Sequence, residues 1–135
     1  RYTYGGKQYY QIYNLANGRF INPRNPVKRI CLSATSGDFQ GFDLYGTSIY
    51  TIEGSPRKSF LLGYDRSRRY QPTKIRRYNY ASRSKKTITV RGAKTLSFRE
   101  PEGIKVLAGG QIYMMYVSNT LTNQSCNIYR VKRKI

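Results

Sequence analysis

The chain consists of short β-prone runs separated by turn residues, and this pattern constrains its fold more than any other feature. The runs at 48–53 and 111–117, for example, are rich in Tyr and Ile and are preceded by Gly46-Thr47 and Gly109-Gly110. No window of helical length carries apolar residues at the i, i+3, i+4, i+7 spacing of an amphipathic helix. Many short strands with turns between them are typical of an all-β sandwich or barrel.

The β-prone runs give a set of predicted strands within one domain. A length of 135 residues fits a single domain, so we predict one β-sandwich domain over 1–135. The predicted strands are 9–13, 29–34, 39–46, 48–53, 59–64, 74–81, 86–91, 95–99, 104–107, 111–117 and 127–132.

The charge of the chain predicts an anionic partner. Its 25 Lys and Arg against 6 Asp and Glu give a formal net charge of +19. Self-repulsion of this size opposes a compact monomer unless an anion neutralises it. Nucleic acid, heparin-like glycans and anionic membranes are the candidates. The apolar runs are too short to cross a bilayer, and we expect no membrane partner.

The composition also removes most catalytic chemistry. The chain has no His, which excludes a His-based triad and His metal ligands. Its two cysteines, Cys31 and Cys126, cannot form a four-ligand zinc site alone. They could form one disulfide or remain buried free thiols, and the lack of a disulfide framework favours free thiols. We therefore expect no enzymatic activity, no metal and no cofactor.

The six carboxylates form no recognisable catalytic motif. The one acidic patch, Glu100-Pro101-Glu102, is interpreted as an exposed turn.

Basic and aromatic residues alternate in a mid-chain stretch that lacks acids. Residues 66–99 contain twelve Lys and Arg and no Asp or Glu. Arg and Lys neutralise phosphates, and Tyr stacks on unpaired bases with about 1–3 kcal/mol per base. The stretch therefore indicates single-stranded nucleic acid. The predicted binding residues are Arg1, Arg66, Arg68, Arg69, Tyr70, Lys74, Arg76, Arg77, Arg83, Lys85, Lys86, Arg130, Lys132 and Lys134.

A structural interpretation of the same stretch stays open. A charge run is often only a solvated loop, and Tyr at alternate strand positions often packs against a sheet. Tyr78 and Tyr80 would share one strand face by alternation, and we expect them to pack in the core.

A weak repeat leaves the β-trefoil as an alternative fold. Ile12 and Phe20, Ile52 and Phe60, and Val90 and Phe98 are each eight residues apart and recur every 38 to 40 residues. Each pair would close one strand–turn–strand unit, and three such units make a trefoil.

The end of the chain combines an apolar strand, a polar turn and a basic last strand. Ile112-Tyr113-Met114 begins the apolar strand, which reaches Ser118. In the last strand, alternation places Arg130, Lys132 and Lys134 on one face and Tyr129 and Val131 on the other.

This layout resembles the end of the coat proteins of small circular single-stranded DNA viruses, namely nanoviruses, geminiviruses and circoviruses, and of satellite tobacco necrosis virus. Lys85-Lys86-Thr87 and the residues up to Phe98 resemble the basic penultimate region of those proteins. Leu61-Leu62-Gly63-Tyr64-Asp65-Arg66 resembles their mid-chain strand that ends in Tyr-Asp-Arg. The resemblance covers about the second half of the chain.

The resemblance implies an eight-stranded jelly-roll sandwich that self-assembles into a small icosahedral shell. Arg, Lys and Tyr on the inner face would bind the packaged nucleic acid, which we expect to be single-stranded. Residues 1–8 would be an extended N-terminal arm. The protein would belong to a virion and assemble in the host nucleus or cytoplasm.

Three other functions remain open at this point. A secreted basic β-trefoil would bind heparin-like glycans or a receptor, and host-surface glycans are also a candidate partner for a coat protein. A small barrel could bind nucleic acid as a monomer. A basic toxin or nuclease is disfavoured by the missing His.

Overall fold

A computed structural model of the protein describes residues 1–33, 38–54, 72–93, 95–96, 100–119, 124–133 and 135. The described residues form β-strands in antiparallel sheets and one 3-10 turn at Ala108–Gly110, so the predicted all-β class is confirmed. The strands are β1 Tyr2–Tyr4, β2 Lys7–Ile12, β3 Leu15–Ala16, β4 Arg19–Phe20, β5 Lys28–Ser33, β6 Phe39–Tyr45, β7 Ser48–Glu53, β8 Thr73–Asn79, β9 Lys85–Val90, β10 Glu100–Leu107, β11 Gln111–Asn119 and β12 Gln124–Arg130.

The chain divides into two compact units, Arg1–Ser36 and Gly37–Ile135. The single domain over 1–135 stays a prediction. The first unit contains a three-stranded sheet in the order β1-β2-β5 and a small β3–β4 hairpin.

Residues 1–8, where we expected an extended arm, fold back on themselves. β1 pairs with β2, and Tyr4 lies opposite Lys7 across the two-residue turn Gly5-Gly6. Both glycines have positive φ, 54° and 68°, which residues with a Cβ rarely adopt. Tyr2 lies opposite Tyr9, and their rings stack with centroids 4.9 Å apart.

The second unit contains two antiparallel sheets. One has the order β6-β7-β8-β9 and the other the order β10-β11-β12. Alternation along each strand sends Tyr50, Ile52 and Ile75 to one face of the first sheet. They form one buried cluster with residues of the second sheet, among them Met114 and Tyr116, so the two sheets share a core. The hydroxyl of Tyr116 donates to Thr73 Oγ1 at 3.0 Å within this core.

Strands β6 and β10 bring the two sheets together at their edges. A Cβ placed on Gly41 of β6 would lie 3.5 Å from the Cα of Gly103 in β10, so the strands approach where both lack a side chain. Asp43 of β6 continues the contact, because its Oδ2 accepts the backbone N–H of Val106 at 2.7 Å. Its Oδ1 lies 3.3 Å from the ammonium of Lys105. A side chain therefore satisfies a backbone donor at the edge of β10.

The sequence located several strands almost to the residue. The predicted runs 39–46, 48–53 and 111–117 correspond to β6, β7 and the first part of β11. The predicted strand 59–64 lies outside the described residues. Of 95–99, the residues Thr95 and Leu96 are described and belong to no strand, and the rest lies outside the description.

The repeat that suggested a trefoil is wrong at its second unit. It required the strand around Ile52 to pair with a strand around Phe60. In the structure β7 pairs with β6 on one side and with β8 on the other, and Ile52 itself lies between Gly41 and Ile75. A strand with two partners has no free edge for a third. The described strands form no closed barrel.

The acidic patch is a strand rather than the predicted exposed turn. Glu100, Pro101 and Glu102 begin β10, and Pro101 is buried. The pairing with β11 shifts between Pro101 and Gly103, a bulge that suits a residue without an N–H. Burial and the nearby charge of Glu102 raise the pKa of Glu100 above its usual value.

The jelly roll is not confirmed. A jelly roll consists of two Greek keys, in which strands distant in sequence become neighbours. In the second unit every described pair of hydrogen-bonded neighbours is consecutive in the chain, as in a meander.

We predict that Asp43→Ala destabilises the protein. The substitution leaves the partly buried N–H of Val106 without its charged acceptor, which costs about 2 kcal/mol. Urea unfolding followed by tyrosine fluorescence measures the loss. The control is Lys105→Ala, which removes only an exposed ion pair and should change the free energy of unfolding by less than about 1 kcal/mol. Equal effects of the two substitutions would show that the carboxylate acts through Lys105 and not through the backbone.

Candidate nucleic-acid interface

Six of the predicted binding residues lie on one element, the β8–β9 hairpin. This basic hairpin comprises β8, the turn 80–84 and β9. Its predicted residues are Lys74, Arg76, Arg77, Arg83, Lys85 and Lys86. No Asp or Glu occurs between residues 72 and 93, so any acidic partner must come from elsewhere.

The register of the hairpin places two cations directly opposite each other. Arg77 of β8 is the partner of Lys86 in β9. Directly opposed residues in an antiparallel pair have Cβ atoms about 4.5–5.5 Å apart, and like charges in such positions destabilise the pair. The hairpin therefore has two positive charges at a position where a pair of opposite charges would be more stable.

The other face of the hairpin combines a cation with an aromatic ring. Tyr78 lies opposite Lys85, whose ammonium is 5.9 Å from the centre of the ring. The expectation that Tyr78 and Tyr80 share a strand face in the core is wrong. β8 ends at Asn79, Tyr80 belongs to the turn, and neither ring joins the buried cluster.

The turn of the hairpin is held by Asn79. Its Oδ1 accepts the backbone N–H groups of Ala81 and Ser82 at 3.0 and 2.9 Å, and its own N–H donates to Ser84 O. Arg83 is exposed and has a φ of 60°, a conformation that costs a residue with a Cβ about 1–2 kcal/mol. The turn thus presents Arg83 to solvent from a fixed and strained backbone.

Arg76 has a structural partner. Its Nε lies 2.9 Å from Oε1 of Glu53, whose side chain is only 1% exposed. Glu53 is in β7, and Arg76 and Arg77 point to opposite faces of β8 because neighbouring strand residues alternate. Adjacent arginines that look equivalent in the sequence therefore have different surroundings.

Arg77 connects the hairpin to the basic end of the chain. Its Nη1 donates to the backbone oxygen of Ile135 at 3.0 Å, and its Nε donates to Ser48 Oγ at 3.1 Å. Lys132 is three residues before Ile135, so its Cα lies within about 11 Å of that of Ile135. Two basic clusters that are distant in sequence therefore lie near Arg77.

The last strand differs in part from the prediction. β12 ends at Arg130, and Lys132 lies in a bend, so the predicted alternation does not continue to it. Tyr129 and Val131 pack against the core, whereas Arg130 is exposed opposite Tyr113, as expected if they lie on opposite faces. Arg1 is exposed in the first unit. Arg66, Arg68, Arg69, Tyr70 and Lys134 lie outside the described residues.

The sequence missed the polar residues around Arg77. Ser48, Asn79, Tyr45 and the pair Gly109-Gly110 line the same cleft as its guanidinium. Ser48 and Asn79 are uncharged strand residues, and no local sequence pattern marks them as part of a site. The glycine pair is visible in the sequence, but its proximity to Tyr45 depends on the contact between the two sheets.

Other site types receive no support from the described residues. Among them no three His, Cys, Asp or Glu side chains form a group that could bind a metal ion. Cys31 and Cys126 are free, as predicted, but exposed rather than buried. In the described part of the chain no helix is long and apolar enough to cross a membrane. Comparison with known proteins finds no matching family model, no matching curated protein and no matching solved structure.

We predict that Arg76 contributes to stability through Glu53 and that the exposed cations of the hairpin do not. Arg76→Gln deprives the buried Glu53 of its cation and should lower the free energy of unfolding by about 2 kcal/mol, less than a fully buried pair because Arg76 is partly exposed. The double variant Glu53→Gln with Arg76→Gln should recover most of that loss. Arg83→Gln, in the exposed turn of the same hairpin, is the control. Unchanged stability of Arg76→Gln in urea unfolding would contradict the structural role.

Proposed function

We propose that the protein is a coat protein whose copies assemble into a small closed shell around single-stranded nucleic acid. The observation that carries the proposal is the opposed pair Arg77 and Lys86 in a hairpin without acids. A fold that places like charges opposite each other gains stability when a polyanion neutralises them. Nucleic acid supplies a regular series of such charges.

The aromatic residues of the hairpin favour a single strand over a duplex. Tyr78 and Tyr80 are half-buried and their rings do not join the core, and the ring of Tyr78 lies 5.9 Å from the ammonium of Lys85. Rings beside cations can stack on unpaired bases while Lys and Arg bind the backbone. A base-paired duplex offers only its backbone and grooves to such a surface.

An apolar face of the second sheet supports assembly of copies. Ile128 of β12 is 73% exposed, and its ladder partner Met115 lies on the same outward face. The next pairs on this face are Val117 and Cys126 on one side and Tyr113 and the exposed Arg130 on the other, so the apolar patch has a cation at its border. A face of this kind resembles the apolar centre of subunit contacts, where aliphatic and aromatic residues replace charged ones. We propose that it contacts a second copy of the chain.

The jelly roll is part of the same proposal. What supports it is that two antiparallel sheets share one core in the second unit. A jelly roll would also require Greek-key pairs between strands that are distant in sequence, in addition to the consecutive pairs of the described residues. An electron-microscopic reconstruction of assembled particles would reveal the strand order and the shell together.

We predict that the double variant Lys85→Ala with Lys86→Ala binds nucleic acid more weakly and that its affinity depends less on the salt concentration. Each lost phosphate contact reduces the slope of log affinity against log salt by about 0.7 for a single strand, so the slope should fall by about 1.4. Fluorescence anisotropy with a labelled oligothymidylate measures it. The matched control is Lys7→Ala with Lys28→Ala, which removes two cations of the first unit and should change the slope less. Equal slopes for the two double variants would contradict a localised interface.

We predict that Ile128→Lys prevents assembly but leaves oligonucleotide binding intact. A charge in the centre of a subunit contact is costly to desolvate, whereas Ile128 is far too exposed to matter for the core. Size-exclusion chromatography and negative-stain microscopy with nucleic acid detect particles. Thr3→Lys, at an exposed strand residue of the first unit, is the control. A wild-type protein that stays at 15.7 kDa with nucleic acid at all salt concentrations would contradict the shell. Retention on heparin without particles would favour a glycan-binding protein.

A further inference from the structure

A cleft of about 350 Å³ opens beside Arg77 in the second unit. It lies between the turn that joins β6 to β7, the end of β8 and the 3-10 turn Ala108–Gly110. Its volume falls in the range of about 300–1,000 Å³ that small-molecule sites occupy. Among the described residues that line it there is no Asp or Glu. An acid-free cleft with an arginine in its wall is suited to an anion.

The guanidinium of Arg77 is held in place and keeps donors to spare. Hydrogen bonds to Ser48 Oγ and to the oxygen of Ile135 use two of its five N–H groups. The remaining three have no partner in the described part of the chain. A guanidinium that is fixed by two bonds loses little entropy when it binds a ligand, and its fork geometry matches two phosphate oxygens.

The other groups around the cleft add donors and a second positive charge. Tyr45 Oη accepts the backbone N–H of Gly109 at 3.1 Å, so its own hydroxyl hydrogen remains for a ligand. Gly109 and Gly110 have φ of 75° and carry no side chain that would narrow the opening. Lys86 does not line the cleft, but it is exposed and lies directly opposite Arg77 on the same strand face, so it is the nearest further cation of the hairpin ladder.

We propose that this cleft binds one phosphate group of a nucleotide, with Arg77 as the bidentate donor and Lys86 as the second cation. The inference rests on the proposed function, because it names the place where the bound strand makes an oriented contact. The phosphate could be an internal diester of a strand or the terminal phosphate of a mononucleotide. Both present two unshared oxygens to a guanidinium.

The test measures the affinity for three small probes by isothermal titration calorimetry on the wild-type protein and on variants. The probes are the dinucleotide dTpdT, which has only an internal diester, thymidine 5′-monophosphate and inorganic phosphate. Arg77→Lys keeps the charge but removes the fork, and we expect at least tenfold weaker binding of the preferred nucleotide. Arg29→Lys, at an exposed arginine of β5 in the first unit, is the matched control and should change the affinity by less than twofold.

Further variants keep the inference falsifiable if Arg77→Lys fails to fold. Tyr45→Phe removes one ligand hydroxyl, and Lys86→Gln removes an exposed cation. Each should weaken the nucleotide several-fold with a melting temperature close to that of the wild type. Preference for dTpdT assigns the cleft to an internal diester, and preference for the monophosphate assigns it to a strand end. Binding of no probe, or equal affinity of all variants, overturns the inference.

A long oligothymidylate separates the inference from the proposed function. In one outcome, the salt slope of oligothymidylate binding depends on Lys85 and Lys86, while Arg77→Lys changes the affinity for neither dTpdT nor the monophosphate. The phosphate site in the cleft is then wrong, and the interface on the basic hairpin stands. If the nucleotides bind in an Arg77-dependent way but the long strand binds no better than one nucleotide, the cleft stands and the coat-protein proposal is wrong.

Discussion

The arrangement of the second unit depends on the carboxylate of Asp43. β6 and β10 approach each other where Gly41 and Gly103 lack side chains, and Asp43 then binds the N–H of Val106 across the gap. This contact keeps the two sheets together at one edge while their inner faces enclose the core. It also sets the position of the cleft, whose walls come from the turn after β6 and the turn after β10. A single acid among many cations therefore organises both the core and the candidate site.

Much of the strand pattern was accessible from the sequence, because β-branched and aromatic runs bounded by turn residues mark strands locally. β7 is the clearest case, found at the predicted residues 48–53. The partners of a strand are not encoded locally. The hairpin expected between Ile52 and Phe60 fails because β6 and β8 occupy both edges of β7. The acidic Glu100-Pro101-Glu102 resembled a turn since Pro and Glu disfavour strands, but a bulge accommodates the proline.

The candidate site was predictable in composition and not in geometry. The acid-free basic stretch contains the β8–β9 hairpin, and alternation placed Tyr129 and Val131 away from Arg130, on the side that packs against the core. Alternation also separates Arg76 from Arg77, but only the fold shows that one reaches the buried Glu53 and the other Ser48 and Ile135. These partners are distant in sequence, so no local pattern could have assigned one arginine to stability and the other to an open cleft.

In the proposed function, the opposed charges of Arg77 and Lys86 couple the binding of nucleic acid to the order in which subunits assemble. A ligand that binds only the folded form raises the stability of that form by mass action. The hairpin of a subunit with bound nucleic acid would therefore be more stable than the hairpin of an empty subunit. In the proposed assembly, copies that contact each other through the outer face of β11 and β12 would then add preferentially along nucleic acid that is already bound. The repulsion between Arg77 and Lys86 would in this way favour subunits with bound nucleic acid over empty subunits during assembly.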